Sequence, residues 1–224
     1  MRAEGRSLRG LYAITPSGAA TEHLVARVKA ALEGGAALVQ YRAKGVSPAM
    51  ALVQARALLK ACREAGAPLV INDSIELAAA VGADGVHLGR DDASVREARI
   101  CLPHGLIGVS CYDDPERARS AAREGADYVA IGSVFPSATK PGAVRAPLAL
   151  IAAAREASGL PVAAIGGITA DNVAAVAAAG ADMAAVIAAV FDAADVAEAA
   201  RRIVRQFESS TIPRPDARAQ PHAV

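Results

Sequence analysis

The sequence predicts an α/β protein: a single-domain (β/α)8 TIM barrel. Short apolar runs alternate along the chain with Ala-rich segments that carry apolar residues at helical spacing and end in Gly. The runs are short enough for strands and too short for globular helices. Strands that alternate with helices indicate a parallel sheet, and eight such units in about 200 residues match the size of a (β/α)8 barrel.

The eight strands are expected at residues 11–15, 37–42, 68–73, 85–89, 106–111, 128–133, 161–167 and 183–189. A weak repeat supports this count, because a Gly-Ala pair closes a helix and opens a strand at 35–36, 82–83, 125–126 and 180–181. The alternative is a doubly wound open sheet. That fold is disfavoured because the first strand leads into TPSGAAT, without the G-x-G-x-x-G fingerprint of dinucleotide-binding folds.

The composition excludes several classes of protein. The 224 residues are 53% hydrophobic but only 3% aromatic, so the core is built from Ala, Val, Leu and Ile, and disorder of the whole chain is excluded. A net charge of +1 gives no pull toward nucleic acid or an anionic membrane. Three cysteines, without a signal-peptide pattern or an apolar membrane span, predict a cytoplasmic protein.

Three segments are expected along the chain. Residues 1–10 form an N-terminal extension, and residues 11–208 form the catalytic barrel. Residues 209–224 contain three prolines and no helical pattern, which predicts a flexible C-terminal tail.

The second predicted strand ends in QYRAK and gives the first candidate site. Active sites of barrels lie at the carboxyl ends of the strands. Strand alternation points Gln40, Arg42 and Lys44 the same way. Two cations and an amide there suit a phosphate or diphosphate, and a solvated loop is the alternative.

The next two strands contribute carboxylates. Asn72 and Asp73 end the third strand, and Asp92 follows the fourth. Two carboxylates from neighbouring strand ends can share Mg²⁺, which also takes waters and phosphate oxygens. The alternative is helix capping, in which Asp73 or Ser74 caps a helix that begins at Ile75 and Asp92 caps one near Ala93.

The later strands suggest a second phosphate site. Ser137, Thr139 and Lys140 follow the sixth strand, and small hydroxyls with a Lys can cradle a phosphate, although an ordinary turn is the alternative. Gly167 follows the seventh strand, and Ile187 and Ala188 follow the eighth, where backbone N–H groups of many barrels bind phosphate. His87 and Cys111 are expected to be structural.

Two phosphate sites, one of them assisted by a metal, suggest a group transfer in which diphosphate leaves. A phosphosugar isomerase or epimerase barrel is a second hypothesis, and a ligand-binding barrel without catalysis is a third. Neither of these needs Asp73, Asp92 and Lys140 together.

Six motifs in order make the chain resemble the thiamine-phosphate synthase (thiamine-phosphate pyrophosphorylase) family from about Leu11 to Phe207. They are QYRAK, ND at 72–73, HLGRDD at 87–92, GVS at 108–110, PSATK at 136–140 and AIGGIT at 164–169. The family joins 4-amino-2-methyl-5-hydroxymethylpyrimidine diphosphate to a thiazole phosphate and releases diphosphate. The resemblance therefore implies small-molecule substrates and Mg²⁺, without nucleic acid or membrane partners. It leaves a homo-oligomer open.

The resemblance also implies residue roles. The pyrimidine diphosphate would be bound by Gln40, Arg42, Lys44, Asn72 and Lys140. Asp73 and Asp92 would hold Mg²⁺, and Ser110 would sit beside the pyrimidine and diphosphate. Arg42, Lys44, Lys140 and Ser110 would serve catalysis. The thiazole phosphate would be held by Ser137, Thr139, Gly167, Ile187 and Ala188.

The chain departs from the family pattern at three positions: Ala43 replaces the usual Glu, Arg90 replaces Gln, and Ala188 replaces Ser. The last change removes a hydroxyl from the thiazole-phosphate site. A thiazole tautomerase, a related barrel, is the alternative within the family. That relative uses a His just after the fifth strand, where this chain has Ser110-Cys111-Tyr112.

Overall fold

The computed structural model describes residues 8–137, 142 and 144–210. Eight parallel strands close into a barrel in chain order, with β1 also paired to β8, which confirms the (β/α)8 prediction. The strands are β1 Gly10–Ile14, β2 Ala36–Tyr41, β3 Leu69–Asn72, β4 Gly85–Leu88, β5 Leu106–Tyr112, β6 Tyr128–Gly132, β7 Val162–Ile165 and β8 Met183–Val186.

Helices cover the outside of the barrel. They are α1 Thr21–Glu33, α2 Pro48–Glu64, α3 Ile75–Val81, α4 Val95–Cys101, α5 Pro115–Glu124, α6 Ala149–Ser158, α7 Val173–Ala178, α8 Ala188–Phe191 and α9 Val196–Ser209. Among the described residues, none of these helices has the length and apolar character needed to span a bilayer.

Two apolar cores follow from strand alternation. The larger core lies between the strands and the helices and takes side chains such as Val39, Ile71 and Leu58. The smaller core fills the barrel interior, where Leu38, Val70 and Met183 pack around Tyr12 and Tyr128. Two of the four tyrosines thus lie inside a barrel that is otherwise lined by smaller residues.

The amino-terminal end of the barrel is held together by the repeated Gly-Ala-Asp segments. Each Asp accepts a hydrogen bond of 2.8–2.9 Å from a backbone N–H near the start of the preceding strand: Asp84 from Leu69, Asp127 from Ile107 and Asp182 from Val162. An arginine from a helix donates to the Gly carbonyl of each segment: Arg63 to Gly82, Arg99 to Gly125 and Arg155 to Gly180. Arg99 and Arg155 also form ion pairs with Asp127 and Asp182.

The predicted segment boundaries fall close to the ends of this description. β1 begins at Gly10 and α9 ends at Ser209. Residues 1–7 and 211–224 lie outside the described residues, so the N-terminal extension and the C-terminal tail stay predictions.

Candidate active site

The end of β2 spreads its polar side chains across the mouth of the barrel. Gln40 is buried, and its Nε2 donates to the hydroxyl of Tyr12 at 2.5 Å. Arg42 is half-buried and reaches Ser17, in the segment after β1, at 3.4 Å. Lys44 is exposed, and its charge acts on Asp73 after β3. β2 ends at Tyr41, so strand alternation does not extend to Lys44, and the two cations lie toward opposite neighbours of β2 rather than the same way as expected.

Asp73 and Asp92 form a close carboxylate pair. Their carboxylates lie close enough to act on each other, and both residues are half-buried. Burial, and then the interaction with the Asp92 carboxyl, raise the pKa of Asp73 to about 6, and the charge of Lys44 opposes the rise. Asp73 is therefore largely ionised at pH 7, and a cation that binds both carboxylates would relieve the repulsion between them.

The alternative that these carboxylates are helix caps is wrong. Ser74 caps α3 by accepting from the N–H of Leu77 at 3.1 Å. Ser94 caps α4 in a capping box with Glu97. Asp92 instead accepts from the N–H of Gly89 at 2.6 Å, in the loop after β4. Neither Asp is used to begin a helix.

The pair has the character of a site for Mg²⁺. This ion typically takes one or two carboxylates and completes its shell with waters and phosphate oxygens. In the part of the chain that the structure describes, no three His, Cys, Asp or Glu residues are grouped as a metal cage would need. A cleft of ≈ 570 Å³ reaches Lys44, Asn72 and Asp73, but the rest of its lining comes mostly from apolar residues of α2 and α3, and Asp92 does not line it.

His87 lies at the same end of the barrel and points into its interior. Its Nε2 lies 2.9 Å from the hydroxyl of Ser110 on β5, and its Nδ1 lies 3.1 Å from the hydroxyl of Tyr128 on β6. Burial lowers the pKa of His87 to about 4, against the effect of Asp92, so the ring is neutral at pH 7. The sequence indicated a structural His, and the structure places it against a predicted substrate residue.

Cys111, next to Ser110, packs in the outer core as expected. It is fully buried, and burial raises its pKa to about 12. A thiol in that state is not a nucleophile at neutral pH.

Two arginines that sequence reasoning did not assign shape the loops after β4 and β5. Arg117 on α5 donates to the carbonyls of Ser110 at 2.8 Å and Gly89 at 3.0 Å, which ties the two strand ends together. The guanidinium of Arg90 lies over the ring of Tyr112, 4.7 Å from its centroid, and the backbone N–H of Arg90 donates to the Tyr112 hydroxyl. The departure from Gln at position 90 is therefore accommodated by stacking on Tyr112. No local pattern around Arg117 signals its role.

The strand ends after β6 and β7 are bound to each other. Val134 and Phe135 donate backbone hydrogen bonds to the carbonyls of Ile165 and Gly166. Gly167 has φ +62°, and a Cβ there would collide with the carbonyl of Pro136. Only glycine fits this approach.

Among the remaining predicted residues, Ser137 is half-buried at the end of this segment, and Ile187 and Ala188 lie at the start of α8. Thr139 and Lys140 lie outside the described residues.

Comparison with known proteins agrees with this geometry. The model of the family described as thiamine monophosphate synthase matches residues 11–190. The chain belongs to this family. A thiamine-phosphate synthase of Azoarcus sp. (strain BH72) is 57% identical over 192 residues, which is 85% of this chain and 93% of that protein. A thiamine-phosphate synthase of Aromatoleum aromaticum is 56% identical over 84% of this chain and 91% of that protein.

A solved structure supports the same assignment. The thiamine phosphate pyrophosphorylase from Pyrococcus furiosus superposes with a TM-score of 0.82 at 36% identity and covers 92% of this chain and 98% of that chain. The family match and the structural superposition thus both extend over most of the barrel.

Proposed function

We propose that this chain condenses 4-amino-2-methyl-5-hydroxymethylpyrimidine diphosphate with thiazole phosphate to give thiamine phosphate and diphosphate. The observation that carries the proposal is the Asp73–Asp92 pair at the ends of β3 and β4, which is free of any capping role and on which the charge of Lys44 acts. Membership of the thiamine monophosphate synthase family supports it. The alternative of a thiazole tautomerase lacks its His, because the segment Ser110-Cys111-Tyr112 contains none.

The reaction needs no nucleophile from the protein. The bond between the exocyclic methylene carbon and the diphosphate oxygen breaks, and both electrons leave on the oxygen. The amino group of the pyrimidine stabilises the methylene cation, and the ring nitrogen of the thiazole then donates its lone pair to form the new C–N bond. Catalysis is therefore positioning of two substrates and neutralisation of a leaving anion.

The residues divide between these two tasks. Arg42, Lys44 and Lys140 would stabilise the charge that grows on the leaving diphosphate. Gln40, Asn72 and Ser110 would orient the pyrimidine. The thiazole phosphate would be held by Ser137, Thr139, Gly167, Ile187 and Ala188. Asp73 and Asp92 would hold Mg²⁺, which supplies further positive charge to the diphosphate when bound.

The setting we propose is the cytoplasm, with small molecules as the ligands and neither nucleic acid nor a membrane as a partner. The three cysteines are all free thiols, which suits a reducing compartment.

The test is release of diphosphate from the purified chain with both substrates, with each alone, and with EDTA in place of Mg²⁺. Release should require both substrates and the metal. Asp73→Asn should abolish most of this activity and should weaken binding of Mg²⁺ with inorganic diphosphate, measured by calorimetry. Asp91→Asn is the matched control, because Asp91 is exposed beside Asp92. Full activity in metal-free buffer would contradict the metal assignment, and failure to form thiamine phosphate from both substrates would contradict the condensation.

A further inference from the structure

A chain of five polar side chains crosses the interior of the barrel. Gln40 Nε2 lies 2.5 Å from the Tyr12 hydroxyl, which lies 2.8 Å from the Tyr128 hydroxyl. The Tyr128 hydroxyl contacts His87 Nδ1 at 3.1 Å, and His87 Nε2 contacts the Ser110 hydroxyl at 2.9 Å. The two ends of the chain are predicted pyrimidine-binding residues, and the three middle members are not.

The middle of the chain is shielded from water. Tyr12, Tyr128 and His87 are 1%, 0% and 7% exposed. Burial raises the pKa of both phenols, so each hydroxyl keeps its single proton. A buried polar group without a partner is costly, so these side chains must satisfy one another.

Counting protons leaves two directions for the chain. In the first, Gln40 donates to Tyr12, Tyr12 to Tyr128, and Tyr128 to His87 Nδ1; the proton on His87 Nε2 is then donated to Ser110. In the second, every bond is reversed, and the amide oxygen of Gln40 faces Tyr12. A neutral imidazole carries one proton, so it cannot donate at both ends.

We propose that Tyr12, Tyr128 and His87 are positioning residues that fix the first direction, and so set which hydrogen-bonding group Gln40 and Ser110 offer to the substrate. The amide nitrogen of Gln40 faces Tyr12, which leaves its carbonyl oxygen for a ligand. In this direction Ser110, 2.9 Å from His87 Nε2, accepts from the ring, which leaves its hydroxyl proton for a ligand. The site thus offers one fixed acceptor and one fixed donor.

This inference rests on the proposed function. An aminopyrimidine carries an amino group that donates and ring nitrogens that accept, which is the complementary pattern. Reversal of the buried chain would present two mismatched groups to the same ring. A site that holds hydrogen-bonding groups in a fixed sense discriminates strongly against rings with the wrong pattern.

The direction of the hydrogen bonds can be determined by NMR, without an activity assay. In protein labelled with ¹⁵N-histidine, the His87 signals are assigned by their loss in His87→Gln, and the nitrogen that carries the proton is identified. The proposal expects the proton on Nε2 in the wild type at pH 7, and Tyr128→Phe should redistribute it. A proton on Nδ1 in the wild type would overturn the assigned direction.

The positioning role is tested by kinetics against a matched control. Tyr128→Phe removes the hydroxyl between Tyr12 and His87 and should raise the KM for the pyrimidine diphosphate roughly tenfold. The KM for thiazole phosphate should stay within about twofold. Tyr41→Phe is the control, because Tyr41 is equally buried and its hydroxyl donates to Gln54 in the outer core, at 2.6 Å, away from the chain.

Equal kinetic effects of Tyr128→Phe and Tyr41→Phe would overturn the positioning role and assign the chain to stability alone. Failure of the wild type to form thiamine phosphate would contradict the proposed function, while the ¹⁵N spectra would still decide the direction of the chain. The two failures are therefore distinguishable.

Discussion

The two ends of the barrel use the same residue types in opposite ways. At the amino-terminal end, Asp127 accepts from a backbone N–H, and Arg99 donates to the carbonyl of Gly125 and to Asp127 itself. At the carboxyl end, Asp73 interacts with another acid, Asp92, and has φ +65°, a conformation rare outside glycine.

This difference separates stability from function. A carboxylate that binds backbone N–H groups and an arginine has its charge balanced within the protein. A carboxylate directed at a second carboxylate has its charge left for a ligand, and burial together with the neighbouring Asp92 raises the pKa of Asp73 to about 6. Substitution of the Asp and Arg residues at the first end should mainly lower stability, and substitution of the carboxylates and cations at the second should mainly lower activity.

The largest effect is expected at Arg42. Arg42→Ala should lower kcat/KM for the pyrimidine diphosphate between about 30- and 1,000-fold, because a charge-assisted contact to the leaving group is lost. Arg42→Lys should not restore full activity, since an ammonium cannot make the bidentate contact. Steady-state kinetics with each substrate varied in turn measures both.

The control for this prediction is Arg56→Ala, at an exposed position of α2. A fall in thermal midpoint for Arg42→Ala, with turnover preserved, would contradict the division between the two ends. A rise in the thiazole-phosphate KM alone would mean that the two phosphate sites are exchanged.

The next effect is the dependence of stability on pH that His87 causes. Its pKa is about 4 in the folded chain and about 6.5 in the unfolded chain, so the unfolded chain binds more protons between these values. Above pH 7 the ring is neutral in both the folded and the unfolded chain, so His87 does not change the free energy of unfolding there. As the pH drops from 6.5 to 4, the free energy of unfolding falls by about 3 kcal/mol.

The measurement is urea unfolding of the wild type and His87→Gln across this range. Asp73 acts with the opposite sign, because its raised pKa makes the folded chain bind the extra proton between its usual value and about 6. The comparison of the two proteins removes that contribution, since Asp73 is present in both. Parallel curves for wild type and variant would show that His87 does not titrate as expected.

A smaller effect is expected at the amino-terminal end. Arg99→Met removes contacts of 2.7 Å to Gly105, Gly125 and Asp127 and should cost about 2 kcal/mol of unfolding free energy. The value of kcat should stay within about twofold. Arg96→Met is the matched control, because Arg96 is exposed on the same helix, α4. Lost turnover without lost stability would place a functional role where we expect none.

The sequence predicts the barrel well because a parallel strand buried on both faces reads as an apolar run. It could not decide whether Asp73 and Asp92 cap helices, since an Asp after a strand precedes a helix in either case. The decision comes from Ser74 and Ser94, which cap α3 and α4 in their place.

The buried hydrogen-bonded chain from Gln40 to Ser110 could not be predicted from the sequence either. Tyr12 and Tyr128 are 116 residues apart, and their contact depends on the closure of the barrel. The same holds for the role of Asp127, whose partner Ile107 lies on the preceding strand. Strand alternation does place Tyr12 and Gln40 on inward positions, which is the signal that could have found the first link.

The smallest effect is expected for Ser137, which lies after β6 where the thiazole phosphate would bind. Ser137→Ala should raise the KM for thiazole phosphate a few-fold with little change in kcat, because a neutral hydroxyl that binds a spectator phosphate contributes equally to ground and transition states. Ser120→Ala, at an exposed position of α5, is the control. A loss in kcat equal to that of Arg42→Ala would instead place Ser137 against the leaving diphosphate, and the carboxyl end of the barrel would then hold one shared anion site rather than two.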